Sequence, residues 1–166
     1  MKKILLIIFL TCCLSDDQSN KNYGIISSGI LGEKIPLTFL DFSYIHEYDD
    51  KSELYATFGT MIFTVGIGLG YKYYLIDRDK FTPFISSTFC MIGGGDQWES
   101  LSGFSLASGL NFSIPYWVPT PLEIIAKAPI HNDNIEKKIN IGATLFYDFN
   151  SAAQVLPFLN VEIKRK

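Results

Sequence analysis

The chain has 166 residues, 48% of them hydrophobic and 14% aromatic, with 14 basic against 17 acidic side chains and a net charge of −3. That acidic balance excludes a nucleic-acid surface, which needs clustered Lys and Arg. Of the 3 cysteines, Cys12 and Cys13 stand near the start, so only Cys90 remains in the body of the chain and no disulfide framework holds it.

Met1-Lys2-Lys3 followed by the apolar Ile4 to Leu10 form the n-region and h-region of an export signal, too short for a membrane helix. Cys13 and Ser15 supply the small residues of a cleavage site, so residues 1–15 are expected to leave and Asp16-Asp17 to begin the mature chain. A second reading takes Leu10-Thr11-Cys12-Cys13 as a loose lipoprotein box, with Cys12 or Cys13 carrying a lipid anchor. Losing Lys2 and Lys3 leaves 12 basic against 17 acidic residues, a net charge near −5. An exported domain without disulfides needs a core or a bilayer to stabilise it. No later apolar run approaches the ~20 residues of a spanning helix, so a spanning form would be a closed barrel.

Residues 16–34 read as a lead-in, or a short strand at Ile25–Leu31, and 35–166 as one β-domain. Within it, strands are expected at about 35–48, 53–64, 66–76, 81–92, 102–114, 121–129, 137–149 and 155–164. Turn residues separate them: Asp49-Asp50-Lys51-Ser52, Val65-Gly66, Asp77-Arg78-Asp79-Lys80, Gly93 to Gln97, Pro115 to Pro121, His131 to Asn134, and Asn150-Ser151. Eight strands with short turns fit this length, since a membrane strand takes ~9–11 residues. The expected fold is all-β, an antiparallel up-and-down barrel of eight strands, ten at most.

Ile67, Leu69, Tyr71, Tyr73 and Leu75 alternate with Gly68, Gly70, Lys72 and Tyr74, a period of two with one apolar face. The pattern recurs: Leu54, Ala56 and Phe58; Ile85 and Phe89; Phe104, Leu106 and Leu110; Leu122, Ile124 and Ala126; Ile139, Ile141 and Leu145; Leu159, Val161 and Ile163. The other parity is polar, and its charged members Asp41, Glu53, Lys72, Glu123, Lys127, Asp148 and Glu162 are expected to pair across the lumen. Aromatics crowd the C-terminal ends of the first, third, fifth and seventh runs: Tyr44 and Tyr48; Tyr71 and Tyr73; Phe112, Tyr116 and Trp117; Tyr147 and Phe149. Phe81 opens the fourth run. A strict meander places all of them on one rim, as an interfacial girdle.

The signal, the two-faced strands and the aromatic rim resemble the small outer-membrane β-barrel proteins of Gram-negative-type bacteria, of the eight-stranded OmpA/OmpX type. The resemblance covers about 35–165 and rests on pattern rather than on a motif. It implies an integral barrel with a filled lumen, a structural or surface-interaction role, outer-membrane lipid and the barrel-assembly machinery as partners, a monomer, and no cofactor. One departure stands out: such proteins end in an aromatic residue, whereas this chain ends Lys164-Arg165-Lys166.

Other chemistry has ordinary readings. Gly66-x-Gly68-x-Gly70 keeps strand period and lacks the G-x-G-x-x-G of a nucleotide site. The acidic and Asn-rich turns lack calcium-loop spacing, so no metal is expected. Cys90 falls on the inward parity as packing, and Trp98 in the glycine-rich loop is a contact or an interfacial anchor. His46 and His131 are the two histidines; Ser43 and His46 lie on opposite faces of one strand, which opposes a hydrolase. A soluble lipocalin-like binder of an apolar ligand, periplasmic or lipid-anchored, is the competing reading, and a lipid-modifying enzyme the third. The direction of the faces separates the first two: a binder has its apolar parity inside.

Overall fold

The structure is a computed structural model describing residues 22–61, 64–77, 80–94, 101–115, 117–120, 123–124, 135–149 and 152–165. Its strands are β1 (Asn22–Ile30), β2 (Leu40–Asp49), β3 (Ser52–Met61), β4 (Thr64–Tyr74), β5 (Phe81–Gly94), β6 (Leu101–Ile114), β7 (Ile135–Asp148) and β8 (Gln154–Arg165). Each pairs antiparallel with the next, and β1 closes on β8 from Ile25 opposite Lys164 to Ile30 opposite Leu159. It is an all-β, eight-stranded meander barrel with no free sheet edge.

The count matches the expectation, although the eight strands are not the same eight. Of the two readings of residues 16–34 the strand is the one found: Asn22–Ile30 is a full strand of the wall, outside the eight runs counted. The expected strand at 121–129 is absent from the barrel: β6 pairs directly with β7, from Gly103 opposite Asp148 to Ile114 opposite Lys137. In its place Glu123 and Ile124 are helical. Thr120 accepts from the Glu123 amide at 3.3 Å, and the Glu123 carboxylate accepts from the Thr120 amide at 2.7 Å. This is a capping box, with the spacing of threonine and glutamate that it requires. The alternation of Leu122, Ile124 and Ala126 reads as a strand, but the Thr120–Glu123 pair is a helix-start signal that outweighs it.

Even-numbered strands run toward the rim that holds both chain ends, called here the terminal rim. Opposite it lie the 31–39 connection and the C-terminal ends of β3, β5 and β7. The 31–39 connection folds back into the barrel: Glu33, Lys34, Ile35 and Thr38 are all buried. Leu31 and Leu37 turn it with φ of 60° and 64°, a left-handed conformation that side chains tolerate at about 1–2 kcal/mol each. Room comes from inward glycines. A Cβ on Gly59 would stand 2.7 Å from the Thr38 methyl, and one on Gly66 2.8 Å from an Ile35 methyl.

Candidate functional site

The wall has a polar inside and an apolar outside. Inward Asp41, Ser43, Thr57, Lys72, Ser86, Thr88, Ser105, Asn111, Asn140, Thr144, Asp148, Asn160 and Glu162 are buried. The alternate residues Ile67, Leu69, Tyr71, Tyr73, Ile85, Phe89, Phe104, Leu106, Ile141, Leu145, Tyr147 and Leu159 are exposed, Leu69 to 66%. A soluble fold reverses this distribution, because burial of apolar area drives folding in water.

The lumen is filled by ion pairs centred on the inserted loop. Lys72 Nζ lies 3.0 Å from Glu33, which also accepts from Ser86 at 3.3 Å, and Lys72 sits 3.9 Å over the Phe84 ring. Lys34 Nζ donates to Glu162 at 2.9 Å and stands over Tyr55 at 5.6 Å. Asp41 accepts from Thr38 at 2.6 Å, a further tie between loop and wall. Glu53 accepts from Tyr23 at 2.5 Å and Tyr74 at 3.2 Å. An amide ladder crosses three strands, Asn111 donating to Asn140 at 2.6 Å and Asn140 to Asn160 at 3.0 Å. Satisfied in this way, charges tolerate a low-dielectric interior that would otherwise exclude them. Ile35 seals the end away from the terminal rim against Cys90, Ile92 and Phe146.

Of the expected lumenal residues, Asp41, Glu53, Lys72, Asp148 and Glu162 are inward and buried. Glu123 is not among them. It pairs at 2.8 Å with Lys137, which shares the outward parity of Ile139 and Ile141, so the pair lies outside the wall beneath the connection after β6. The Val118 carbonyl accepts from the same ammonium at 2.9 Å. Lys127, Tyr116, Trp98, His131 and residues 1–21 lie outside the described residues. Glu33 and Lys34, partners of Lys72 and Glu162, were missed because they belong to the connection and not to a strand. The surplus of inward glycine was the available signal.

The aromatics occupy two rims rather than one. Tyr44, Tyr48, Tyr71, Tyr73, Phe81, Phe112 and Trp117 lie toward the terminal rim, where Phe81 and Phe112 meet edge-on at 4.9 Å. Tyr147 and Phe149 lie toward the other, because β7 runs opposite to the direction assumed for it. There Phe149 packs with Phe104 at 5.8 Å and Phe89 at 6.4 Å.

Nothing catalytic converges among the described residues. His46 Nδ1 lies 2.6 Å from Asn22 Oδ1, and Ser43 bonds Thr57 at 3.0 Å on the other face of the wall. No cluster of three or more His, Cys, Asp or Glu suited to a metal occurs among them.

The N-terminal β-barrel domain of Pseudomonas aeruginosa OprF superposes on this chain with a TM-score of 0.54. The two share a fold. The match covers 87% of this chain and 97% of that one at 11% identity. No protein-family model and no curated protein sequence matches.

Proposed function

We propose that this chain is an integral outer-membrane β-barrel with a structural or surface-interaction role and no catalysis, its lumen closed by its own loop and side chains. The inverted wall carries the reading: paired charges and amides are inside, and a continuous apolar surface with aromatics toward both rims is outside. A closed barrel is the one sheet that satisfies its backbone in lipid. The inward Lys72, Asp41, Glu162 and asparagine ladder oppose a lipocalin-like site, which would place the apolar parity inside. His46 is oriented by the Asn22 amide and not by a carboxylate, which opposes a lipid hydrolase.

Outer-membrane lipid and the assembly machinery are the partners of this reading, and a monomer its state. With the chain ends in the periplasm, β1, β3, β5 and β7 run outward and β2, β4, β6 and β8 run back, which puts the 31–39 connection at the outer rim. The test is mobility in SDS with and without boiling, on protein from an isolated outer-membrane fraction. A heat-dependent shift is expected. Release by salt wash with no shift would sink the reading.

A further inference from the structure

One joint of the wall is unlike the others. Seven ladders pair strands that follow one another in the chain, whereas β1 and β8 come from its two ends. The entropy of closing so long a loop falls on this seam alone. The seam is also short. Ile25–Ile30 pair with Lys164–Leu159, six positions, where β6 and β7 pair over twelve. Away from the terminal rim, β8 continues over Gln154–Phe158 after β1 has ended.

Side chains tie this seam from the lumen. Lys34, on the connection that leaves β1, meets Glu162 of β8 at 2.9 Å, and both are buried. Lys164 of β8 stands 3.4 Å over the Tyr23 ring of β1 and 3.6 Å from Glu47 of β2. Leu31 packs against the cluster of Phe158, Tyr74, Phe84 and Ala107, beside the part of β8 that β1 does not reach. The Lys164–Glu47 pair is a quarter exposed, and exposed pairs contribute little. The other lumenal pair, Lys72 with Glu33, ties the same connection to β4 and does not cross the seam.

We propose that the Lys34–Glu162 pair is the clasp of the barrel, setting how fast β8 closes onto β1. Glu162 lies opposite Ser27 in the seam, so the pair is complete only when the seam is shut. Opposite charges attract over about 10 Å at 0.1 M salt, whereas a backbone hydrogen bond acts only at contact. The clasp therefore draws the last strand onto the first in register, and the ladder follows. This inference concerns closure of the wall and holds for either medium outside it.

The experiment follows refolding of the full chain from urea into dioleoyl phosphatidylcholine vesicles, sampling the heat-shifted band over time. Two neutral replacements are compared, neither of which strands a buried charge: Lys34→Met with Glu162→Gln, and Lys72→Met with Glu33→Gln. Each is also made with Ser28→Cys and Val161→Cys, opposite one another across the seam, alongside Cys12→Ala, Cys13→Ala and Cys90→Ala. Oxidised when folded and then unfolded in urea, this disulfide keeps the chain ends joined. Replacing the clasp is expected to slow the band about tenfold in the unlinked chain and not at all in the linked one. Replacing Lys72 and Glu33 should act equally in both. An unslowed clasp variant, slowing that survives the link, or slowing of both pairs that the link abolishes alike would overturn the assignment. A clasp variant that never closes unlinked must close when linked, and failure there overturns it too. If the wild type gains its band in buffer without vesicles, the membrane reading fails, and the same comparison in buffer decides the clasp. A wild type with no such band in either medium would overturn both.

Discussion

The two sides of one wall are built from alternate residues of the same strands, yet they solve opposite problems. On the lumen side, Lys72 and Lys34 are 1% and 2% exposed at their side chains and find Glu33 and Glu162 at 3.0 and 2.9 Å. On the outer side, Leu69 and Phe104 have more than half their surface uncovered. The lumen is too narrow for a channel and too polar for an oily core, so its charges are held by ion pairs or by hydroxyl donors. The outer side is matched to an apolar medium, as the membrane reading requires. Hydrophobicity along the chain therefore says little until the faces are assigned.

Breaking the lumenal pairing should have the largest effect. Lys72→Ala strands Glu33 in the interior and is expected to cost about 3–5 kcal/mol. The readout is the urea midpoint of the heat-shifted band. Pairing it with Glu33→Gln should recover most of the loss, and if the double variant is no better than the single, the ion pair is not the cause.

The outer side is challenged by Leu69→Arg, at the middle of β4. A bilayer-facing site should lose about 2–4 kcal/mol in vesicles. In a soluble barrel the same change would cost almost nothing, so a small effect counts against the membrane reading.

Gly66→Val probes the seat of the loop. Overpacking against Ile35 is expected to cost about 1–3 kcal/mol and to unseat residues 33–38. Cys90, fully buried against Ile35, would then react with a maleimide that leaves the parent untouched. Continued protection of Cys90 would show that the loop does not depend on that glycine.

The smallest effect belongs to Asp77→Asn. Lys51 meets Asp77 at 3.1 Å on the surface, and the hydrogen bond to Asp77 raises its ammonium above its ordinary value. Exposed pairs of this kind are screened by water and salt, so no measurable change in Tm is expected. A clear drop would mean that the turn, unlike the rest of the surface, is electrostatically held.

How far the sequence could be read varies by element. Ile67 to Leu75 declared both faces of β4, because a period of two is a local property of consecutive residues. That Asp41, Glu53, Lys72, Asp148 and Glu162 share a face followed from the same period, and closure of the barrel turned that face inward. Thr120-Pro121-Leu122-Glu123 was legible as a helix start and was outweighed by a short alternation. Missing one strand and adding another preserved the count but reversed β7, which moved Tyr147 and Phe149 to the other rim.

By itself the sequence determined the strand period, the polar and apolar parities and the turn chemistry, since each depends on neighbours a few residues apart. Tertiary structure alone decided which parity turned inward, which strand met which, and that residues 31–39 enter the lumen. Those outcomes depend on closure: Lys34 meets Glu162 across 128 positions of chain, and only the curvature and volume of the finished barrel bring them together.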